Sequence, residues 1–232
     1  MIFFLLPVLS LMQAQTAEEI ISKHVLAIGG KDILEKINTM SVESSTQVMG
    51  NDLPTVTTIV NGKGYKNESE MNGQKIVQCY SEKGGWSMNP MNGGAPEAMP
   101  VNQLKAGKLQ FDIGGPFFNY AAKGNKVELL GKEMVGNIQS YKLRLQTKDS
   151  VEISYFIDTA SYYIIQTLQK SDMMGQEVIV KTSLSDYRKT DFGYVMPFAM
   201  DISFGDQFSL IIALKKVEFN KPVDPSIFEM PK

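Results

Sequence analysis

The side chains best suited to metal binding or nucleophilic attack are scarce in this chain. Histidine occurs once, as His24, and cysteine once, as Cys79. A zinc site needs three or four nitrogen, sulfur or carboxylate ligands at short spacings, and no such cluster accompanies either residue. Cys79 lies in a strand-like pattern, which predicts a packed side chain rather than an activated thiolate. The sequence therefore predicts no metal and no cofactor.

Other motifs that carry catalytic chemistry are missing as well. The chain contains no G-x-S-x-G elbow, no H-E-x-x-H helix and no phosphate-binding glycine loop. The charged residues between 186 and 191 have the composition of a solvated turn. The triplet at 67–69 fits a glycosylation sequon, but matches of three residues arise by chance. We therefore expect a protein that is not an enzyme.

The charge balance argues against nucleic acid as a partner. The chain has 23 basic and 25 acidic residues, and its basic residues form no block longer than Lys215-Lys216. Nucleic-acid binding needs a concentrated basic face. A single cysteine also rules out an intramolecular disulfide, so stability has to come from packing.

The first fifteen residues predict a secretory signal. They carry no charge, and their apolar run is too short to span a bilayer as a helix. Cleavage is expected near Ala14 or Ala17; the alternative is a buried apolar segment. Removing residues 1–15 leaves residues 16–232, enough for one domain. We expect this domain to be secreted and monomeric.

The start of the mature chain predicts one or two helices. Thr16 and Glu19 have the spacing of a capping box, and Ile21, Val25 and Ile28 follow at helical spacing. The pair at 29–30, two glycines, is suited to the left-handed conformation that ends a helix. A shorter helical turn is expected at 31–37.

From residue 39 the apolar pattern changes to a period of two, which predicts strands. Asn72-Gly73 joins the clearest hairpin, between residues 64–71 and 74–82. A second meander begins at residue 127 and continues to 219 with short turns. The fold class predicted is mainly β, an open, curved antiparallel barrel of about ten strands covered by the N-terminal helix. A barrel of this size often encloses a ligand, and apolar lining would suit a hydrophobic one.

Residues 84–118 interrupt the two meanders. This stretch holds four prolines, seven glycines and three methionines, which make a continuous strand improbable. A long irregular segment within a compact domain is typically functional or disordered. Its apolar ends favour a lid over the cavity, and its methionines could repack around different guests.

Several of these stretches resemble the LolA family of periplasmic lipoprotein carriers. Residues 82–90, EKGGWSMNP, resemble the family's strand that ends in an aromatic residue and Asn-Pro before a mobile segment. Residues 116–118, PFF, stand where the sheet resumes, and residues 217–228 resemble the closing strand and its tail. Residues 16–30 are similar to secreted proteins of the Bacteroidetes type. The resemblance covers essentially the whole mature chain and implies an open barrel with a cavity for acyl chains.

One position departs from the family pattern. The better-known carriers hold the lid with an arginine on an early strand, whereas the matching stretch here offers Lys66 or Asn67. Lysine lacks the planar fork that lets arginine make several fixed hydrogen bonds at once.

The resemblance implies binding and carriage of the acyl chains of lipoproteins or lipids, between membrane-bound donor and acceptor proteins. The alternative is a lipid-sensing or partner-binding module that transports nothing, with a lipid-acting enzyme as a third hypothesis. Alternation along the strands and the composition of the lid select the predicted ligand-binding residues: Trp86, Met88, Met91, Met99, Phe117, Phe118, Tyr141, Leu143, Leu145, Val151, Ile153 and Tyr155.

Overall fold

A single curved antiparallel sheet forms the body of the protein. The computed structural model describes residues 15–48, 50–173 and 175–231. Thirteen strands pair within these residues. In chain order they are β1 Thr39–Val48, β2 Asn51–Val60, β3 Gly64–Met71, β4 Gln74–Ser81, β5 Gly84–Met88, β6 Pro96–Ala98, β7 Lys126–Val135, β8 Ile138–Gln146, β9 Glu152–Asp158, β10 Ile164–Met173, β11 Gln176–Lys189, β12 Val195–Phe204 and β13 Phe208–Phe219.

The sheet consists of two meanders joined at its centre. Strands β1 to β6 form one meander and β7 to β13 the other, and β1 pairs with β13. Strands β6 and β7 lie at opposite edges, so the sheet is open within the described residues. Residues 99–125 lead from one edge to the other. The predicted mainly β, open and curved architecture is confirmed.

Short helices accompany the sheet. They are α1 Ala17–Ala27, α2 Lys31–Leu34 and α3 Val101–Gly107, with 3₁₀ turns at Pro90–Asn92, Lys108–Phe111 and Pro225–Phe228. The predicted capping box is confirmed, because Thr16 accepts a hydrogen bond from the Glu19 amide and the Glu19 carboxylate accepts one from the Thr16 amide. No helix of the described residues is long and apolar enough to span a membrane.

All three helices pack on one face of the sheet, which we call the inner face. Ile20 and Ile21 of α1 pack in the same core cluster as Leu143 on β8, and Leu34 of α2 packs in the same core cluster as Met40 on β1. The strands from β8 to β1 pair in turn, and residues that are paired across neighbouring strands point to the same face of the sheet. The inner face is therefore continuous from the first meander to the second.

Burial of α1 brings the only histidine of the chain into the core. His24 is 5% exposed and meets the ring of Phe117 edge-on, with 5.7 Å between ring centroids. Its Nδ1 lies 2.8 Å from the carbonyl oxygen of Tyr162, so this nitrogen carries the proton and donates. Burial lowers the pKa of His24 below 6.5, and the bond to the carbonyl opposes this only in part. The imidazole is therefore neutral at pH 7.

The C-terminal turn covers a small cluster on the opposite, outer face. Phe228 packs over Cys79 and Trp86, and its carbonyl accepts a hydrogen bond of 3.0 Å from Trp86 Nε1. Gly64 lies directly beneath the Phe228 ring, where a Cβ atom would come within 2.9 Å of it. Burial raises the pKa of Cys79 to about 11, so the thiol remains protonated.

Two strands lie where the sequence predicted none. The segment expected to be irregular begins with β5 and includes β6, so the sheet has thirteen strands rather than about ten. Pro96 begins β6, which is an edge strand, where the lost N–H faces no partner. Gly85 lies within β5 because a Cβ there would come within 2.6 Å of Leu104 on α3. Glycine at this position permits close packing of a helix and does not break the strand.

The proposed signal segment at 1–15 lies outside the described residues except for Gln15. Its role stays a prediction.

Replacing Leu143 with Asp should destabilise the fold by roughly 3 kcal/mol or more, because an uncompensated carboxylate would enter a packed core. Leu143 is 0% exposed and faces Leu129 and Tyr155 on the neighbouring strands. Urea denaturation would measure the loss. Gln146→Asp is the matched control, since Gln146 is exposed on the same strand and its alternation places it on the outer face. Equal stability of both variants would show that the faces are assigned wrongly.

Stability should also depend on pH through His24. Because its pKa is lower in the folded chain than the ordinary 6.5, the unfolded chain binds more protons between these two pKa values. The free energy of unfolding should therefore be fully present above pH 6.5 and fall as the pH drops toward the folded pKa. His24→Asn, which can still donate to the Tyr162 carbonyl, should show a flatter profile between pH 5 and 7. Identical slopes in denaturation series of both proteins would contradict this assignment.

Candidate functional site

A row of apolar side chains on the inner face of the second meander is only half-buried. We call it the inner strip; it comprises Leu184, Met200, Ile202, Phe204, Leu210 and Ile212. Met200 lies opposite Leu184 on one side and Ile212 on the other, so the strip runs across β11, β12 and β13. It continues the face of the buried Leu214 but lacks equally complete cover. The described chain therefore leaves apolar surface open inside the curve of the sheet.

A cavity of about 1050 Å³ adjoins this strip. Tyr80 on β4 and Gln103 on α3 line it from the first meander, whereas Gln169 and Phe204 line it from the second. Phe204 is the residue of the inner strip that lines it, and most of the other lining side chains are polar. The cavity lies between the two meanders of the open sheet.

Residues 99–125 cover one end of the interior, and we call them the cover segment. Met99, Phe111 and Ile113 are buried in the core cluster that includes Tyr80. Phe117 belongs to the neighbouring cluster and meets Tyr155 with 4.7 Å between ring centroids. Apolar side chains along its length thus anchor the segment to both meanders.

A lysine fastens the far end of the cover segment. Lys123 Nζ donates to both carboxylate oxygens of Asp112, at 2.8 and 2.7 Å, and to the carbonyl of Gly115 at 3.0 Å. Burial raises the pKa of Asp112, although Lys123 opposes this. The hydroxyl of Tyr194 donates to the carbonyl of Ile113 at 3.2 Å. The bonds of Lys123 therefore hold the segment to itself, and the bond of Tyr194 holds it to the residue before β12. Neither Lys123 nor Tyr194 stands on an early strand, where the carriers have their arginine.

Neither residue considered for the arginine's position reaches the cover segment. Lys66 lies on the outer face, where it pairs with Glu68 at 3.0 Å and stands over the ring of Trp86. Asn67 lies on the inner face and donates to the hydroxyl of Thr57 at 2.9 Å. Within the described ranges, no three His, Cys, Asp or Glu side chains come together closely enough to hold a metal ion.

Most of the sequence-predicted site residues of the second meander come together in one cluster. The cluster packs tightly against α1, so its members line no open space in this conformation; they are Phe117, Tyr141, Leu143, Leu145, Ile153 and Tyr155. Val151 borders both this cluster and the cavity. Their shared inward orientation is confirmed, and their contact with a ligand stays a prediction.

The predicted lid residues scatter over three environments. Met99 is buried on the inner face, and Phe118 is half-buried beside it. Trp86 and Met88 lie in the outer cluster with Phe228, because Trp86 pairs with Cys79 and alternation turns both away from the interior. Met91 is 85% exposed. The expected position of Trp86 at a cavity mouth therefore differs from the one the structure shows.

Sequence reasoning missed the inner strip. Its strands were expected, and the residues alternate along 195–204 and 208–219, but no face was assigned to them. Part of each of these strands carries apolar side chains on both faces, for example Ile211 and Ile212, so alternation alone does not identify the side that faces inward. The pairing of β13 with β1 identifies it, because it places Ile212 on the same face as the buried Leu214.

Comparisons with known proteins agree with this architecture. No protein-family model matches the chain, and no curated protein matches its sequence. The fold is similar to that of a LolA superfamily protein from Nitrosomonas europaea, with a TM-score of 0.61 and 12% sequence identity over 93% of this chain and 98% of that one.

Two further solved structures are similar over nearly their full lengths. A putative outer membrane lipoprotein-sorting protein domain from Vibrio parahaemolyticus has a TM-score of 0.58 at 13% identity, covering 91% of this chain and 95% of that one. A DUF1329 family protein from Desulfovibrio piger has a TM-score of 0.52 at 11% identity, covering 93% and 98%. With the open thirteen-stranded sheet and its inner helices, these similarities show that the chain has a LolA-like fold.

Proposed function

We propose that this protein binds the acyl chains of lipids or lipoproteins in the interior of its open sheet. The observation that carries the proposal is the inner strip, an apolar surface that remains half-buried beside a cavity of about 1050 Å³. Ligand pockets are typically about 300–1,000 Å³, so the space suits a long flexible guest. The lipoprotein-sorting description of the similar Vibrio parahaemolyticus domain supports the same class of ligand.

The energetics favour capture of such a chain. Burial contributes about 0.8 kcal/mol per CH₂ group, so one long acyl chain supplies on the order of 10 kcal/mol before the costs of binding. The apolar residues of the inner strip would replace water around the methylenes. Release then becomes the demanding step, because the same free energy has to be returned when the ligand leaves.

The cover segment would control entry and release. It is tied to the sheet at separated points, by Met99 at its start and Phe117 near its middle, with the bonds of Lys123 closing its last turn. Between these points lie α3, a 3₁₀ turn and further turns, which form no ladder with a strand. Such a segment opens at lower free energy than the sheet.

Carriage between membranes is the finer part of the proposal. A carrier would be exported to the periplasm by residues 1–15, collect an acylated molecule from a membrane-bound donor and pass it to an acceptor. A lipid-free protein that stays empty when challenged with lipid would instead favour a sensing or partner-binding module. Native mass spectrometry of protein purified without detergent separates these two outcomes.

A charge on the inner strip should abolish ligand uptake while sparing the fold. Ile202→Glu places a carboxylate against the expected acyl chain, and the half-burial of Ile202 lets that carboxylate keep partial contact with water. Binding of a fluorescent fatty acid should weaken at least about tenfold, equivalent to ~1.4 kcal/mol.

The control for this experiment is the adjacent residue. Ser203 points to the opposite face, paired with Lys181 and Ser209, and Ser203→Glu should bind as the wild type does. Urea denaturation would verify that both variants are folded. If the folded Ile202→Glu variant binds the fatty acid as tightly as the wild type, the inner strip is not part of the binding site.

Amide hydrogen exchange in the cover segment should slow when a ligand binds. Amides of residues 112–124 should exchange rapidly in the empty protein and become protected when a fatty acid is bound. Amides of β5, which pair with β4, should stay protected in both states and serve as the internal reference. If mass spectrometry confirms binding but exchange at 112–124 does not change, the cover segment does not respond to the ligand and this prediction is wrong.

A further inference from the structure

A second cleft lies along the cover segment. Its volume is about 620 Å³, and residues from separate parts of the chain line it. Asn61 and Gly62 contribute from the turn after β2, residues 147–149 from the turn after β8, and residues 108–125 form the remaining wall. The cleft shares no lining residue with the larger cavity.

Four lysines converge on this cleft from three stretches of the chain. They are Lys105, Lys108, Lys123 and Lys148, facing three carboxylates, Glu82, Asp112 and Asp149. Two of the cations are neutralised locally, because Lys108 pairs with Asp149 at 3.5 Å and Lys123 with Asp112 at 2.7 Å.

Two lysines remain available for a ligand. Among the described residues, Lys105 and Lys148 form no ion pair, and Glu82 is the one lining carboxylate without one. Lys148 lies against the cover segment, since its Cβ is 3.4 Å from the position of a Cβ atom on Gly124. The cleft therefore holds an excess of positive charge in a molecule whose net charge is −2.

The floor of the cleft connects this charge to the apolar interior. Phe111 and Phe118 line the cleft and also pack in the inner core cluster. Leu109 lines it and packs in the neighbouring cluster. Rotation of a half-buried side chain such as Phe118 would open a path from the lysines to the apolar side chains beneath.

We propose that this cleft binds the anionic phosphate group of an amphiphile whose acyl chain enters the interior. The inference rests on the proposed function and narrows its ligand to acyl chains attached to a phosphate head group. Lysine is suited to this role, because its ammonium group is a compact charge that contacts phosphate without fixed geometry. Lys105 and Lys148, which form no ion pair among the described residues, supply two ammonium groups for the phosphate against the single unpaired carboxylate of Glu82.

The test compares a lipid that carries a phosphate group with one that lacks it. Lysophosphatidylglycerol and the monoacylglycerol with the same acyl chain would be titrated into the full chain. The wild type should bind the anionic lipid about tenfold more tightly at low salt, as two exposed ion pairs of ordinary strength would give. The preference should shrink as salt is added, because exposed charges are screened.

Paired lysine variants locate the effect. Lys105→Gln with Lys148→Gln should abolish the preference and leave binding of the uncharged lipid unchanged. Lys181→Gln with Lys215→Gln removes the same charge from exposed strand positions outside the cleft, and it should keep the preference. Both double variants alter exposed side chains, so their folding serves as a shared check.

The outcomes separate this inference from the function on which it rests. Equal binding of the two lipids, or a preference that survives loss of Lys105 and Lys148, overturns the phosphate site and leaves acyl-chain binding standing. If neither lipid binds, the proposed function fails, and titration with inorganic phosphate followed by NMR then decides about the cleft. Shifts at its residues that disappear in the double variant would assign it to free phosphate, and an absence of shifts would remove the site.

Discussion

The structure depends on one constraint: a curved sheet that does not close has to cover its apolar inner face with something. Thirteen strands provide far more inner surface than three short helices occupy. The chain responds by running its longest irregular connection, residues 99–125, from one edge of the sheet to the other. What this connection and α1 do not reach remains as the half-buried inner strip. The space for a guest is thus the part of the hydrophobic core that the chain does not complete itself.

The two core clusters of the inner face differ in how completely their side chains are buried. The cluster under α1 is closely packed, with Leu143, Leu145 and Ile157 fully buried. The cluster around Tyr80 is surrounded by many half-buried partners, including Met200 and Ile212. Opening of the interior is easiest where side chains have incomplete contacts, because less dispersion and hydrophobic free energy is lost there. The interior therefore opens at lower free energy on the side of the second cluster.

The sequence was sufficient for the class of fold and the first helix, because capping, turn residues and alternation are local signals. Thr16 with Glu19 defined the start of α1, and Asn72-Gly73 placed a hairpin correctly. It was insufficient for Trp86, since the face of β5 depends on its register with β4 and on Phe228, which lies 142 residues away. The inward orientation of the inner strip could not be predicted from the sequence for the same reason. Its orientation follows from the pairing of β1 with β13, a long-range contact that no local pattern encodes.

The fastening of the cover segment shows how one fold can tolerate a change in its closing interaction. An arginine on a strand would tie the segment to the sheet, so opening would break a bond between two elements. Here Lys123 ties the segment to itself, through Asp112 and the Gly115 carbonyl. Attachment to the rest of the chain combines the ring of Phe117 with hydrogen bonds, in which the Ile113 amide donates to Asn61 and the Tyr194 hydroxyl donates to the Ile113 carbonyl. An acyl chain could replace the hydrophobic contacts at little cost, because one apolar contact substitutes for another. The hydrogen bonds have no such substitute, so they would set the cost of lifting the segment from the surface beneath it.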